Sequence, residues 1–203
     1  MITLALLLAA AAVPTQQAGK VCKGCDWHEL SFAGDLSGSD FSGANLAGAK
    51  LSGKLTGINF TGANLSGATL EGSVSGCDFS NADLTSAVLS GNFTSSRFPG
   101  ARLGNATLSG NFTGVDFTGV DLVTTKLTGQ AEFAMAKLVN AKLAGHAWSG
   151  QFASADFSGA DLSNVSLTGT LGNAVFLGAK LEGSKLTGYC FGARFDPGAG
   201  CGK

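Results

Sequence analysis

The sequence predicts an all-β chain wound as a solenoid of square coils, and three observations carry that reading. A large apolar residue recurs every five residues and, once per lap, every four, through Phe79, Leu84, Leu89, Phe93, Phe98, Leu103 and Leu108. A small residue stands two before most of these centres, as at Ala44, Ala63, Ala68, Ala82, Ala101, Ala160 and Ala179. Leu51, Leu70, Leu89, Leu108 and Leu127 repeat at an interval of 19 residues, and Trp148, Leu167 and Leu186 resume the series. Five fits neither the 3.6-residue helical period nor the two-residue strand period. It fits a chain that turns a corner every five residues, with the centre and the small residue inward and the others outward. Three sides of five and one of four close a lap, and laps stack about 4.8 Å apart through backbone hydrogen bonds.

Taken in order, residues 1–13 form an uncharged apolar run too short to span a bilayer, which needs about 20 residues. Pro14 ends it and Ala18 offers a cleavage position, so residues 1–18 read as a signal peptide and residues 19–203 as a single repeat domain. The expected location is outside the cytoplasm, periplasmic or extracellular, with no membrane segment once the signal is removed. Cys22 and Cys25 follow as a CxxC pair. A redox motif wants a strand leading into a helix, and a zinc site wants two more ligands at a recognised spacing. A disulfide within a terminal cap is the reading that suits an exported chain.

The repeats run from about residue 25 to 195. At each four-residue side a glycine serves both as the end of one turn and as the inward small residue of the next: Gly53, Gly72, Gly91, Gly110, Gly150 and Gly169. A tight corner with little room, and with positive φ, selects glycine. The units Asn-Leu and Asp-Leu after Ala44, Ala63, Ala82 and Ala160 resemble the motif of the pentapeptide-repeat family. The resemblance covers about 170 residues and implies a right-handed quadrilateral parallel β-helix, here with coils one residue shorter than is usual in the family. About nine coils are expected.

Folded on this frame, Phe41, Phe60, Phe79, Phe98, Phe117, Leu138, Phe157, Phe176 and Phe195 form one inner column, and Phe93, Phe112, Phe133 and Phe152 another. They read as core, not as a cofactor box. Inner centres continue to Leu186, Phe191 and Phe195, and Cys190 is read as pointing outward, able to close a loop with Cys201 in the Gly-rich tail. Cys77 takes an inward small slot. One lap is irregular: Leu127 to Trp148 spans 21 residues, with the two extra near residues 130–132. That lap holds Met135, His146 in an Ala slot and Trp148 in a Leu slot. A bulge can carve a binding site, or it can be a repacked corner, and a lone histidine suits the second.

Two outward columns alternate in sign, lap by lap but for one valine: Asp78, Arg97, Asp116, Lys137, Asp156, Val175 and Arg194 on one side, and Asp83, Arg102, Asp121, Lys142, Asp161 and Lys180 on the next. Most of these charges are expected to have opposite neighbours above and below, a device that fixes register because a one-coil slip sets like against like. With 14 acids against 13 bases, the net charge is −1. That removes a whole-protein electrostatic case for nucleic acid or an anionic membrane.

No convergent catalytic, metal or cofactor set is visible, and no cofactor is expected. His28 and His146 lie on distant coils, and no phosphate loop occurs. The N-F-T sequons at Asn59, Asn92 and Asn111 are products of the repeat. The expected function is therefore a non-enzymatic exported scaffold or interaction module presenting flat β faces to an unknown protein partner. A homodimer through the uncovered edge of the last coil is also expected. The alternatives are a DNA-mimicking, topoisomerase-interacting protein, which the family resemblance suggests and the neutral charge opposes, and a binder of ice, polysaccharide or another surface. A regular Thr array would support the latter, and Thr56, Thr94 and Thr113 form part of one column.

Overall fold

A computed structural model describes residues 22–129 and 131–202. The signal-peptide segment lies outside the described residues. Among those described, no helix is long and apolar enough to cross a membrane.

One parallel sheet runs the length of the molecule. Its strands are β1 (Ser31–Asp35), β2 (Lys50–Lys54), β3 (Thr69–Ser73), β4 (Val88–Asn92), β5 (Thr107–Asn111), β6 (Lys126–Leu127), β7 (Ala131–Glu132), β8 (Ala147–Gln151), β9 (Ser166–Thr170) and β10 (Lys185–Tyr189). Each pairs with the strand one lap on, so Leu51 faces Leu70, Leu70 faces Leu89 and Leu89 faces Leu108. Strands β6 and β7 are halves of one broken rung on β5. Nine rungs therefore enclose about eight full turns of a β-solenoid.

The other three sides are held by single bridges of the same offset, such as Asp40 to Asn59 and Asn45 to Asn64. Between sides the chain makes β-turns. The Ala44 N–H donates to the Phe41 carbonyl at 3.0 Å, with Gly43 at φ 65°, the left-handed third residue that a type II turn requires. Asn, Ser or Gly fill most such positions; Met135, at φ 57°, is a bulky exception.

The interior is one continuous apolar cluster. Phe79 stacks on Phe60 at 4.9 Å and on Phe98 at 4.6 Å between ring centroids, and Phe93 stacks on Phe112 at 5.1 Å. Offset stacking of this kind adds to the burial of each ring. The four-residue sides are built on glycine for a steric reason. A Cβ on Gly53, at φ 104°, would lie 2.5 Å from the Gly34 carbonyl oxygen. Gly72, Gly91, Gly110, Gly169 and Gly188 are likewise left-handed and stand equally close to the glycine carbonyl one lap below. At the broken rung Ala131 takes this slot.

The last lap departs from the sequence reading. The apolar centre after Leu186 is not Phe191, which is 76% exposed. Four residues after Leu186, as on every regular short side, stands Cys190, which is partly buried against the core. Cys190 therefore faces inward rather than outward. Spacing by five at that point displaced the frame by one residue.

Candidate functional site

The outward residues sort into two kinds of wall. On the two walls before the Phe and Leu columns, the residue ahead of the centre is Asp, Asn, Lys or Arg, except for Val175 ahead of Phe176. Most of the acids and amides there are engaged twice. Oδ1 accepts the backbone N–H two residues on, as for Asp40 with Ser42 (3.0 Å), Asp83 with Thr85 (3.0 Å) and Asp116 with Thr118 (3.0 Å). The side chain one lap up then reaches down. Asn59 Nδ2 donates to Asp40 at 3.2 Å and Asn64 Nδ2 to Asn45 at 3.2 Å. Where amides give way to charges, Arg97 reaches Asp78 at 2.6 Å, Arg102 reaches Asp83 at 3.4 Å, Lys142 reaches Asp121 at 3.6 Å and Lys180 reaches Asp161 at 3.7 Å.

The expected opposite neighbours stand above and below, in bridges such as Asp78 to Arg97 and Arg97 to Asp116, but the ion pairs between them run one way. Arg97, Arg102, Lys142 and Lys180 each meet the acid of the preceding lap. Among the described residues, Lys137, Asp116 and Asp156 form no ion pair within 4.0 Å. The cause is the turn: fixing Oδ1 on the backbone leaves Oδ2 free for the lap above. These contacts also act on the acids. Partial burial raises the Asp78 carboxyl, but bonds from Ser80 and the Arg97 guanidinium outweigh it and hold it below the usual value. Asp83 is balanced the same way by Thr85 and Arg102. Asp161 is lowered by Ser163 and Lys180.

The strand wall is different. Its three outward columns carry Thr107, Ser109, Ser149, Gln151, Ser166, Thr168, Thr170 and Thr187. None of these side chains makes a hydrogen bond within the protein among the described residues, and the column ends in Tyr189, 63% exposed. Asn92 and Asn111, by contrast, still accept from Thr94 and Thr113. A shallow depression of about 250 Å³ lies on this wall beside the broken rung, edged by Glu132, Ser149, Gln151 and Thr168. A second, of about 180 Å³, adjoins it over Gly129 and Ser166. The uncommitted hydroxyls could not be read from sequence, because the same Ser and Thr residues occur on every wall.

The irregular lap brings two of its three singled-out residues together. His146 and Trp148 have ring centroids 5.8 Å apart, and Trp148 is buried against Phe133 at 5.4 Å. Met135 sits in an exposed turn on another side of the coil. His146 is not without a partner: Nε2 lies 2.8 Å from the Leu122 carbonyl oxygen. That contact repeats a habit of the inward slots, since Thr125, Ser96 and Cys77 bond to Leu103, Val74 and Leu55 carbonyls. Cys77 is thus a hydrogen-bonded thiol, and burial pushes it up to about 12. Cys22–Cys25 and Cys190–Cys201 are disulfides. Among the described residues no cluster of His, Cys, Asp or Glu is placed to hold a metal ion.

Residues 33–53, 54–74, 73–91 and 151–191 match the family model described as pentapeptide repeats, in eight copies. The chain belongs to the pentapeptide-repeat family. Solved pentapeptide-repeat proteins resemble it in fold. HetL, involved in heterocyst differentiation regulation in the cyanobacterium Nostoc sp. strain PCC 7120, is 24% identical over 87% of this chain and 72% of its own, with a TM-score of 0.31. QnrB1, a plasmid-mediated fluoroquinolone resistance protein, is 19% identical over 83% of this chain and 90% of its own, with a TM-score of 0.35. A pentapeptide-repeat protein of the Arabidopsis thaliana thylakoid lumen is 24% identical over 64% and 65%, with a TM-score of 0.15. No curated protein matches the chain.

Proposed function

We propose that this pentapeptide-repeat chain is a non-enzymatic, exported scaffold that works by presenting its strand wall to a protein partner. The observation that carries the reading is the contrast between walls. The ladder walls spend their polar groups on one another, while the strand wall holds a field of hydroxyls with no internal partner. Buried at an interface, such groups need bonds from outside the chain, since an unsatisfied polar group costs about 1–3 kcal/mol. Export is supported by the apolar N-terminal run and by a disulfide at each end of the rod, bonds that persist in oxidising compartments. The ladder weighs against DNA mimicry, because four cations on three laps each neutralise the acid below.

The test is capture on immobilised mature protein from the exported fraction of the native host. A Ser90→Lys, Ser109→Lys double variant should lose the captured partner at unchanged melting temperature, and Thr118→Lys on a ladder wall should keep it. Loss in Thr118→Lys with retention in the double variant contradicts the choice of wall. The protein recovered from that fraction should begin near Gly19 with Cys22, Cys25, Cys190 and Cys201 oxidised and Cys77 free. A chain retaining residues 1–18 in the cytoplasm contradicts export.

Self-association through the last lap is a second reading. Among the described strands β10 pairs with β9 alone, and the tail packs over the last lap, where the Gly202 N–H donates to the Leu186 carbonyl at 2.9 Å and Cys201 is bonded to Cys190. An edge with free groups invites pairing. Sedimentation at rising concentration should show a dimer, and a monomer throughout contradicts it.

A further inference from the structure

We propose that the strand wall over its last rungs binds an uncharged polysaccharide chain laid along the rod axis, stacked on Tyr189 and Phe191 and hydrogen-bonded by Thr170, Thr168, Gln151 and Ser149. The inference rests on the strand wall being the working surface and gives its last rungs a ligand of their own, beside the protein partner tested at Ser90 and Ser109. Tyr189 and Phe191 are the most exposed large apolar side chains among the described residues, at 63% and 76%. They stand together, with ring centroids 6.4 Å apart and planes at 31°. Tyr189 also lies against Gly172, where a Cβ would come within 3.3 Å of its ring. The absence of a side chain at Gly172 thus lets the ring lie down on the corner. An exposed ring pair held this way offers flat apolar area with a polar rim, suited to the C–H face of a pyranose.

The surroundings fix the rest of the chemistry. Tyr189 is in register with Thr170, and Thr170 with Gln151, so ring, hydroxyl and amide form one file about 4.8 Å apart. Thr168 and Ser149 form a parallel file beside it, and both edge the 250 Å³ depression floored by Gly150 and Gly169. Hydroxyl and amide groups both donate and accept, as sugar hydroxyls do. None is committed within the protein. β8 and β9 carry no charged residue; the nearest on this wall are Glu132 and Lys185. A polyanionic glycan or a nucleic acid would meet no cation on β8 or β9. Donors repeated at each rung suit a ligand that itself repeats.

Native affinity electrophoresis of the mature protein through gels containing hydroxyethylcellulose, galactomannan or laminarin tests this, with polygalacturonate as the charged control. Retardation is expected in at least one neutral gel and not in polygalacturonate. A Tyr189→Ala, Phe191→Ala double variant should lose about tenfold or more in affinity, whereas Tyr189→Phe should stay within about threefold of the parent because the ring is kept. Melting temperature and sedimentation should be unchanged in both. No retardation in any neutral gel overturns the proposal, as does retardation confined to polygalacturonate or equal binding by the double alanine variant. A loss accompanied by a shift from dimer to monomer also overturns it, making the ring pair a contact between two copies. Protein capture that still depends on Ser90 and Ser109 while all glycans fail removes this inference alone; failure of both removes the working-surface reading too.

Discussion

The ladder walls and the strand wall of this rod are built from the same backbone spacing, yet they use their outward residues in opposite ways. On the ladder walls Asp83 is bonded to Thr85 and to Arg102, and Asp40 to Ser42 and Asn59. On the strand wall the Ser109 and Thr168 hydroxyls make no hydrogen bond among the described residues, while the glycines beneath them are pressed against the carbonyls of the lap below. Stability on the first kind of wall therefore sits in side chains, and on the second in the backbone. That division leaves the strand-wall side chains free to serve a ligand.

The largest effect expected from breaking this contrast is at the glycine column. Gly72→Ala combines a φ of 94° with a collision against the Gly53 carbonyl, and should cost about 3 kcal/mol. Gly62→Ala, in a ladder-wall turn at φ 65° with nothing within 4 Å, should cost about 1 kcal/mol, the left-handed penalty alone. Equal losses in urea unfolding would mean that the close stacking of glycine on carbonyl does not matter. Acid comes next, because several carboxylates act together. Asp78, Asp83 and Asp161 lie below the usual 3.8 in the folded chain. Their contribution is therefore complete above about pH 4 and is lost as the pH falls through the depressed values. The melting temperature should decline below pH 4, and Asp83→Asn, which keeps the turn bond, should decline less steeply.

Met135→Gly should gain about 1 kcal/mol by relieving a left-handed side chain that is already exposed. A loss would show that Met135 has a role in the irregular lap beyond filling a turn. Smallest is Arg102→Asp, which sets a third carboxylate between Asp83 and Asp121. Its cost should be under about 1 kcal/mol, and greater at low salt than at high. No loss at low salt would mean that the alternation does not help to fix register.

The coil was legible in the sequence because buried positions obey a strict period: Leu51, Leu70, Leu89 and Leu108 could be stacked by counting, and the pairing follows that count. The two-residue break at the rung of Leu127 was legible for the same reason. The last lap was not, since Phe191 looks more like a core residue than Cys190 does and only the four-residue side decides between them. The direction of the charge ladder was hidden as well. It depends on which carboxylate oxygen the turn has already taken, and that is a matter of geometry rather than of residue type. His146 misled through its chemistry, because a slot filled by Ala on most laps can hold a polar group when a carbonyl such as that of Leu122 is waiting for it.

The central claim is that the ladder carboxylates and amides are committed to the fold and the strand-wall hydroxyls are not, and alanine substitution measures this directly. Chemical unfolding of Asp83→Ala should show a loss of about 1 kcal/mol, the net worth of a turn hydrogen bond. A Ser109→Ala, Thr168→Ala double variant should stay within about 0.5 kcal/mol of the parent. If the double variant loses as much as Asp83→Ala or more, the strand-wall hydroxyls are already spoken for within the chain, and the division between the walls is wrong.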